Sequence, residues 1–141
     1  MAFVDINGVT LRYRGASGDV LALQDISLSV RKGEFAAVVG PSGCGKSTLM
    51  RLVTGLHRPT AGTVSIEGKE VTGPVKIAGM AFQHANLLPW RKVIDNLLLP
   101  LEIVQPHRSQ FRTKKKEFRA RAEALLETVG LKGFADRYPW E

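Results

Sequence analysis

Phe35-Ala36-Ala37-Val38-Val39-Gly40-Pro41-Ser42-Gly43-Cys44-Gly45-Lys46-Ser47-Thr48 carries an apolar run straight into a glycine-rich loop. Gly40 to Ser47 fit G-x-x-x-x-G-K-[ST], the P-loop pattern that holds the phosphates of a nucleotide. Glycine lets the backbone turn tightly, so that successive N–H groups can face phosphate oxygens. Lys46 offers a mobile cation to the outer phosphates, and the Ser47 hydroxyl is suited to Mg²⁺. The segment from Lys46 to Thr54 reads as a helix whose positive N-terminal end adds to the anion site. A chance glycine-rich turn is the alternative, but strand, loop and helix occur here in the order that phosphate binding requires. Cys44 reads as a spacer within the loop in preference to a redox-sensitive thiol.

On either side, the chain is rich in strands. Val9, Leu11 and Tyr13 alternate with Thr10 and Arg12, and Ile26, Leu28 and Val30 alternate with Ser27 and Ser29. Both segments read as half-buried strands, separated by turn chemistry at Arg14 to Asp19. Phe35 to Val39 is continuous apolar sequence, which predicts a buried parallel strand. Leu49, Leu52, Val53 and Leu56 fall on one helical face, and Gly55 is placed to end that helix. A short strand is expected at Thr63 to Ile66, and another apolar strand at Ile77 to Phe82, with Gln83 at its exit.

Beyond this point helical spacing takes over. Asp95 is placed to cap a helix carrying Leu97, Leu98, Leu101 and Val104, with Pro100 as a kink or break. Pro106 to Thr113 reads as a polar connector. Phe118, Ala122, Leu125, Leu126 and Val129 then form the apolar face of a helix from about Lys114, stopped near Gly130. The organisation expected is a nucleotide-binding core over residues 1–84 and a helical part over 85–141.

Composition narrows the class. The 141 residues, 44% hydrophobic and 23% charged, are one domain's worth of ordinary globular sequence. No apolar run approaches the ~20 residues that span a bilayer. The N-terminus has no basic flank followed by an apolar core, and the single Cys44 agrees with a reducing cytoplasm. The net charge of +7 is concentrated: Arg108, Arg112, Lys114, Lys115, Lys116, Arg119 and Arg121 face Glu117 alone between Gln105 and Arg121. Such a run reads first as a solvated face rather than a nucleic-acid site, with lipid headgroups as the other anionic partner to consider.

LALQDISLSVRKGEFAAVVGPSGCGKSTLMRLVTGLHRPTAGTVSIEG resembles the ATP-binding subunits of ABC transporters, and GMAFQHANLLPWRKVIDNLLLPLEI resembles their glutamine-loop region and the start of their helical subdomain. Leu87-Leu88-Pro89-Trp90 followed by Val93-Ile94-Asp95-Asn96 looks like the nitrate, sulfonate and taurine importer group. The resemblance implies an α/β fold: a P-loop NTPase core of ABC type, an N-terminal antiparallel β-subdomain and the beginning of a helical subdomain. A soluble P-loop kinase has no reason to carry the pattern from Gln83 to Asn96.

Roles transfer residue by residue. Tyr13 matches the adenine-stacking aromatic. Gly40, Pro41, Ser42, Gly43, Cys44, Gly45, Lys46, Ser47 and Thr48 match the phosphate loop for ATP. Gln83 matches the glutamine that reaches Mg²⁺ and the attacking water, and Ser47 the hydroxyl that holds the ion. Lys46 and Gln83 are thus the catalytic candidates. His84 to Trp90 resembles the surface that receives the membrane permease, although Trp90 could equally cap the helical subdomain's own core. The implied partners are a second ATP-binding subunit and permease subunits, with no nucleic acid, at the inner face of the cell membrane. Import of a small solute is the expected activity. Family members continue into an L-S-G-G signature, an Asp–Glu pair and a switch histidine, none of which occurs in these 141 residues. The chain therefore reads as the N-terminal part of such a subunit, binding ATP without efficient hydrolysis. A non-catalytic nucleotide-binding or interaction module is the alternative.

Overall fold

A phase change in the first strand sets the core. In the computed structural model, which describes all residues except Met1, Ala16, Ser17 and Ala85, β1 spans Val4–Tyr13 and pairs with β2, Val20–Val30. Strict alternation would place Ile6 on the face opposite Val9 and Leu11. The register shifts between Ile6 and Val9, where Gly8 has φ of 57° and its N–H donates to Ser27 Oγ at 2.9 Å. This bulge brings Ile6, Val9 and Leu11 to the same buried side.

β1 is central. Its other edge pairs with β3, Ala61–Ile66, and β3 pairs with the two-residue β4, Lys69–Glu70. The result is an antiparallel sheet of order β2-β1-β3-β4. Helix α1, Lys46–Val53, lays Leu49 and Leu52 against Ile6, Val9, Leu11, Leu23 and Val64. Leu56 falls beyond the helix and is exposed. Gly55 has φ of 73°, and its N–H returns to the Leu52 carbonyl at 3.0 Å, which ends the helix where expected.

Two expected strands do not form. Phe35 to Val39 has no strand pairing, and Phe35 is 93% and Val39 87% exposed. Ile77 to Phe82 is likewise irregular, with Ile77 and Phe82 exposed. An apolar run reports a preference for burial. A strand also needs a neighbour whose carbonyls accept from its N–H groups and whose N–H groups donate to its carbonyls, and none of the four strands takes that place. Of the expected turn at 14–19, Ala16 and Ser17 lie outside the described residues.

The chain divides into two compact units, Met1–Met80 and Ala81–Glu141. The second unit is helical: α2 at Val93–Ile103, α3 at His107–Gln110 and α4 at Lys115–Thr128. Ile94 and Leu98 of α2 bury against Phe118 and Ala122 of α4. Leu126 completes the buried i, i+4 stripe, while Leu125 and Val129, expected on the same face, are exposed. The α2 N-terminus needs no side-chain cap, because the Val93 and Ile94 N–H groups donate to Arg137 and Ala135 carbonyls at 2.8 and 2.9 Å. Asp95 accordingly sits within the first turn and does not cap. Pro100 neither ends nor breaks α2, which continues to Ile103. The polar connector includes the single turn of α3.

Candidate functional site

Gly45 fixes the exit of the glycine-rich loop. It stands at the α1 N-cap with φ of 96°, and a Cβ there would lie 2.7 Å from Leu23 Cδ2 and 2.8 Å from the Ala22 carbonyl oxygen. Both the backbone angle and the close approach to β2 therefore require glycine. The loop and the start of α1 are pressed onto β2 by that contact.

From this point the helix offers donors. The Leu49 N–H is the first to return into α1, to the Gly45 carbonyl at 2.9 Å, so the N–H groups of Lys46, Ser47 and Thr48 precede the helical ladder. The first turn contains no acidic residue to neutralise that end. The Lys46 ammonium folds back over the loop and donates to the Gly40 carbonyl at 2.8 Å and the Pro41 carbonyl at 2.7 Å, with Cys44 Sγ 3.6 Å away. The two carbonyls bring no counter-charge to the ammonium beside the helix end. Ser47 is exposed at the second helical position, Thr48 is half-buried, and the Cys44 thiol is exposed. The arrangement suits a polyanion, whose oxygens could replace the loop carbonyls at Lys46.

Tyr13 closes β1, paired with Val20 and half-buried against the core. Its ring meets the His57 imidazole edge-to-face, with centroids 5.7 Å apart and planes at 86°. His57 was not singled out by sequence reasoning, and its position in a loop carries no periodic signal. Gln83 belongs to the second unit and is exposed.

In the segment from His84 to Trp90, Ala85 lies outside the described residues. Trp90 is 71% exposed, so it does not cap the helical core. Asn96, which sequence reasoning gave no role, anchors this segment. Its Oδ1 accepts from the Leu88 N–H at 2.7 Å, and its Nδ2 faces the carbonyls of Leu88, Arg91 and Lys92 at 3.0–3.1 Å. A lone asparagine among the apolar residues of α2 was the available signal.

No cluster of His, Cys, Asp or Glu suited to a metal occurs among the described residues. The exposed Ser47 hydroxyl at the start of α1 fits a cation that arrives with phosphate oxygens, rather than an ion caged by carboxylates.

A glycine-shaped loop between sheet and helix, with an ammonium held over it by loop carbonyls, defines a P-loop protein. The chain belongs to the ABC transporter family, whose model matches residues 23–140. It is 43% identical over 144 residues to the methionine import ATP-binding protein MetN of Cupriavidus metallidurans, covering 96% of this chain and 40% of MetN. It is 40% identical to the nitrate import ATP-binding protein NrtD of Synechocystis, covering 100% of this chain and 49% of NrtD. Its fold matches the ATP-binding cassette MJ0796, solved as a dimer bound to ADP and Pi, with a TM-score of 0.78 and 30% identity. That match covers 96% of this chain and 61% of MJ0796. The chain thus spans less than half the length of these importer relatives.

Proposed function

We propose that the chain is the nucleotide-binding part of an ABC importer's ATP-binding subunit. The observation that carries this reading is the Lys46 ammonium, held across the loop by the Gly40 and Pro41 carbonyls and without a carboxylate partner among the described residues. In this reading the loop N–H groups and Lys46 bind the β- and γ-phosphates of ATP, and Tyr13 stacks on the adenine. Ser47 holds Mg²⁺, with Gln83 as a further ligand. When bound, Mg²⁺ supplies charge neutralisation at the phosphate oxygens. Gln83 orients the attacking water through its amide, a neutral group able both to donate and to accept.

The residues here bind and position, and no Asp–Glu pair is present among the 141 to assist hydrolysis. ATP binding is the step assigned to these residues. In the assembled transporter, a second ATP-binding subunit and membrane permease subunits complete the machine, the latter received around His84 to Trp90 at the inner face of the membrane. Residues 1–84 serve as the core and 85–141 as the start of the helical subdomain. The solute is a small molecule. The Leu87 to Asn96 pattern favours nitrate, a sulfonate or taurine, and the MetN likeness brings methionine into the same range. Import relatives lend no support to a stand-alone interaction module.

Titration of the purified chain with a fluorescent ATP analogue tests this. Lys46→Ala should weaken binding by about tenfold to a hundredfold, the worth of charge-assisted hydrogen bonds, with an unchanged urea midpoint. Wild-type affinity in that variant, or no binding by the parent chain, would sink the proposal.

A further inference from the structure

The basic run in the second unit separates into two populations. Arg119 is structural: it donates to Glu123 at 2.9 Å and to Asp136 at 2.9 Å, tying α4 to the segment that follows it. Arg108, Arg112, Lys114, Lys115, Lys116 and Arg121 are exposed and have no carboxylate partner among the described residues. Six unpaired cations over α3 and the first two turns of α4 repel one another, an arrangement that an anionic surface would relieve.

The same region is amphipathic. A groove of about 290 Å³ between α2 and α4 has an apolar lining that includes Leu97, Pro100, Leu101 and Leu125, with Arg121 and His107 beside them. Leu125 is 57% exposed, and Ile103 at the end of α2 is also open. Cations beside exposed aliphatic side chains fit a bilayer interface, where headgroups meet the charges and the apolar groups reach the acyl boundary. Single-stranded nucleic acid fits less well, since unpaired bases stack on open aromatic faces. The aromatics here are engaged with one another: Phe118 is buried and packs against Phe111 at 6.1 Å and His107 at 5.9 Å.

We infer that the α3–α4 face docks on anionic phospholipid headgroups, giving this chain a membrane contact of its own, independent of any permease. Each Lys or Arg near such a surface contributes about fivefold in binding, so three removed together should cost about a hundredfold. The test is co-flotation of the full chain with phosphatidylcholine vesicles, with and without phosphatidylglycerol. The comparison variant is Lys114→Ala/Lys115→Ala/Lys116→Ala. Alanine is the strongest helix former, so α4 should be retained, and circular dichroism together with nucleotide binding verifies it. The expected result is flotation only with phosphatidylglycerol, lost in the variant and weakened by added salt. Equal flotation on both vesicles, or an unaffected variant, would overturn the inference. So would salt-sensitive binding to a DNA duplex without binding to the anionic vesicles.

Discussion

Tyr13 and His57 meet edge-to-face with ring centroids 5.7 Å apart, joining the end of β1 to the loop that follows α1. Tyr13 is thereby held from one side by the core and from another by an imidazole. An aromatic pair of this geometry is worth about 1 kcal/mol beyond its burial, enough to favour one ring orientation. If that ring receives adenine, Tyr13→Phe should preserve nucleotide affinity, because the stacking face is unchanged. Tyr13→Ala should lower it by about tenfold, the lower part of the range for losing one stacked base. His57→Ala, which frees the ring without removing it, should cause a smaller loss. Fluorescent nucleotide titration ranks the three. Equal affinity in Tyr13→Ala would remove the aromatic from the site.

The second prediction concerns Asn96, the buried polar residue of α2. Its amide joins Leu88, Arg91 and Lys92 to the helix through one accepted and three donated contacts; its two N–H groups therefore share three carbonyls. Asn96→Ala leaves the Leu88 N–H and these carbonyls without their partner, and should cost about 3 kcal/mol of stability. Asn96→Asp should be no better, since a carboxylate would face three carbonyl oxygens. Urea unfolding measures the first effect, and hydrogen exchange at the Leu88 amide localises it. A cost within about 0.5 kcal/mol, typical of a surface change, would show that the network is dispensable.

Much of the fold was legible because local chemistry set it. The glycine-rich turn into α1, α1 itself and the Gly55 stop depend on glycine geometry and helical spacing over a few residues, and they form where expected. The apolar stripe of α4 was legible through Phe118, Ala122 and Leu126, although Leu125 and Val129 point outward because the neighbouring helix covers only part of that face. Phe35 to Val39 and Ile77 to Phe82 mark the boundary of such reading. Their composition expresses a demand for burial, but pairing depends on strands distant in sequence, and the strands present pair only with one another. The candidate site divides in the same way. Lys46 was named by its motif, whereas His57 owes its place to a tertiary contact that no spacing announces.

The third prediction follows from Asp136. Desolvation pushes its carboxyl up, but the Arg119 guanidinium, aided by Lys92, outweighs that and holds it below the ordinary value of 3.8. A carboxylate whose folded pKa is depressed stabilises the fold fully above its unfolded pKa, and that contribution is lost as pH falls through the folded value. Wild-type chain should therefore exceed Asp136→Asn in urea midpoint at neutral pH. The gap should begin to close as pH drops below about 3.8 and vanish once Asp136 is protonated in the folded state. Because the group is exposed, the gap should be small and should shrink in high salt. Lys92 and Arg119 bracket Asp136 from the start of α2 and from α4, so the effect should appear as earlier loss of the helical unit's structure. A midpoint gap that stayed constant into acid would mean that Asp136→Asn acts through packing and that the ion pairs contribute nothing measurable.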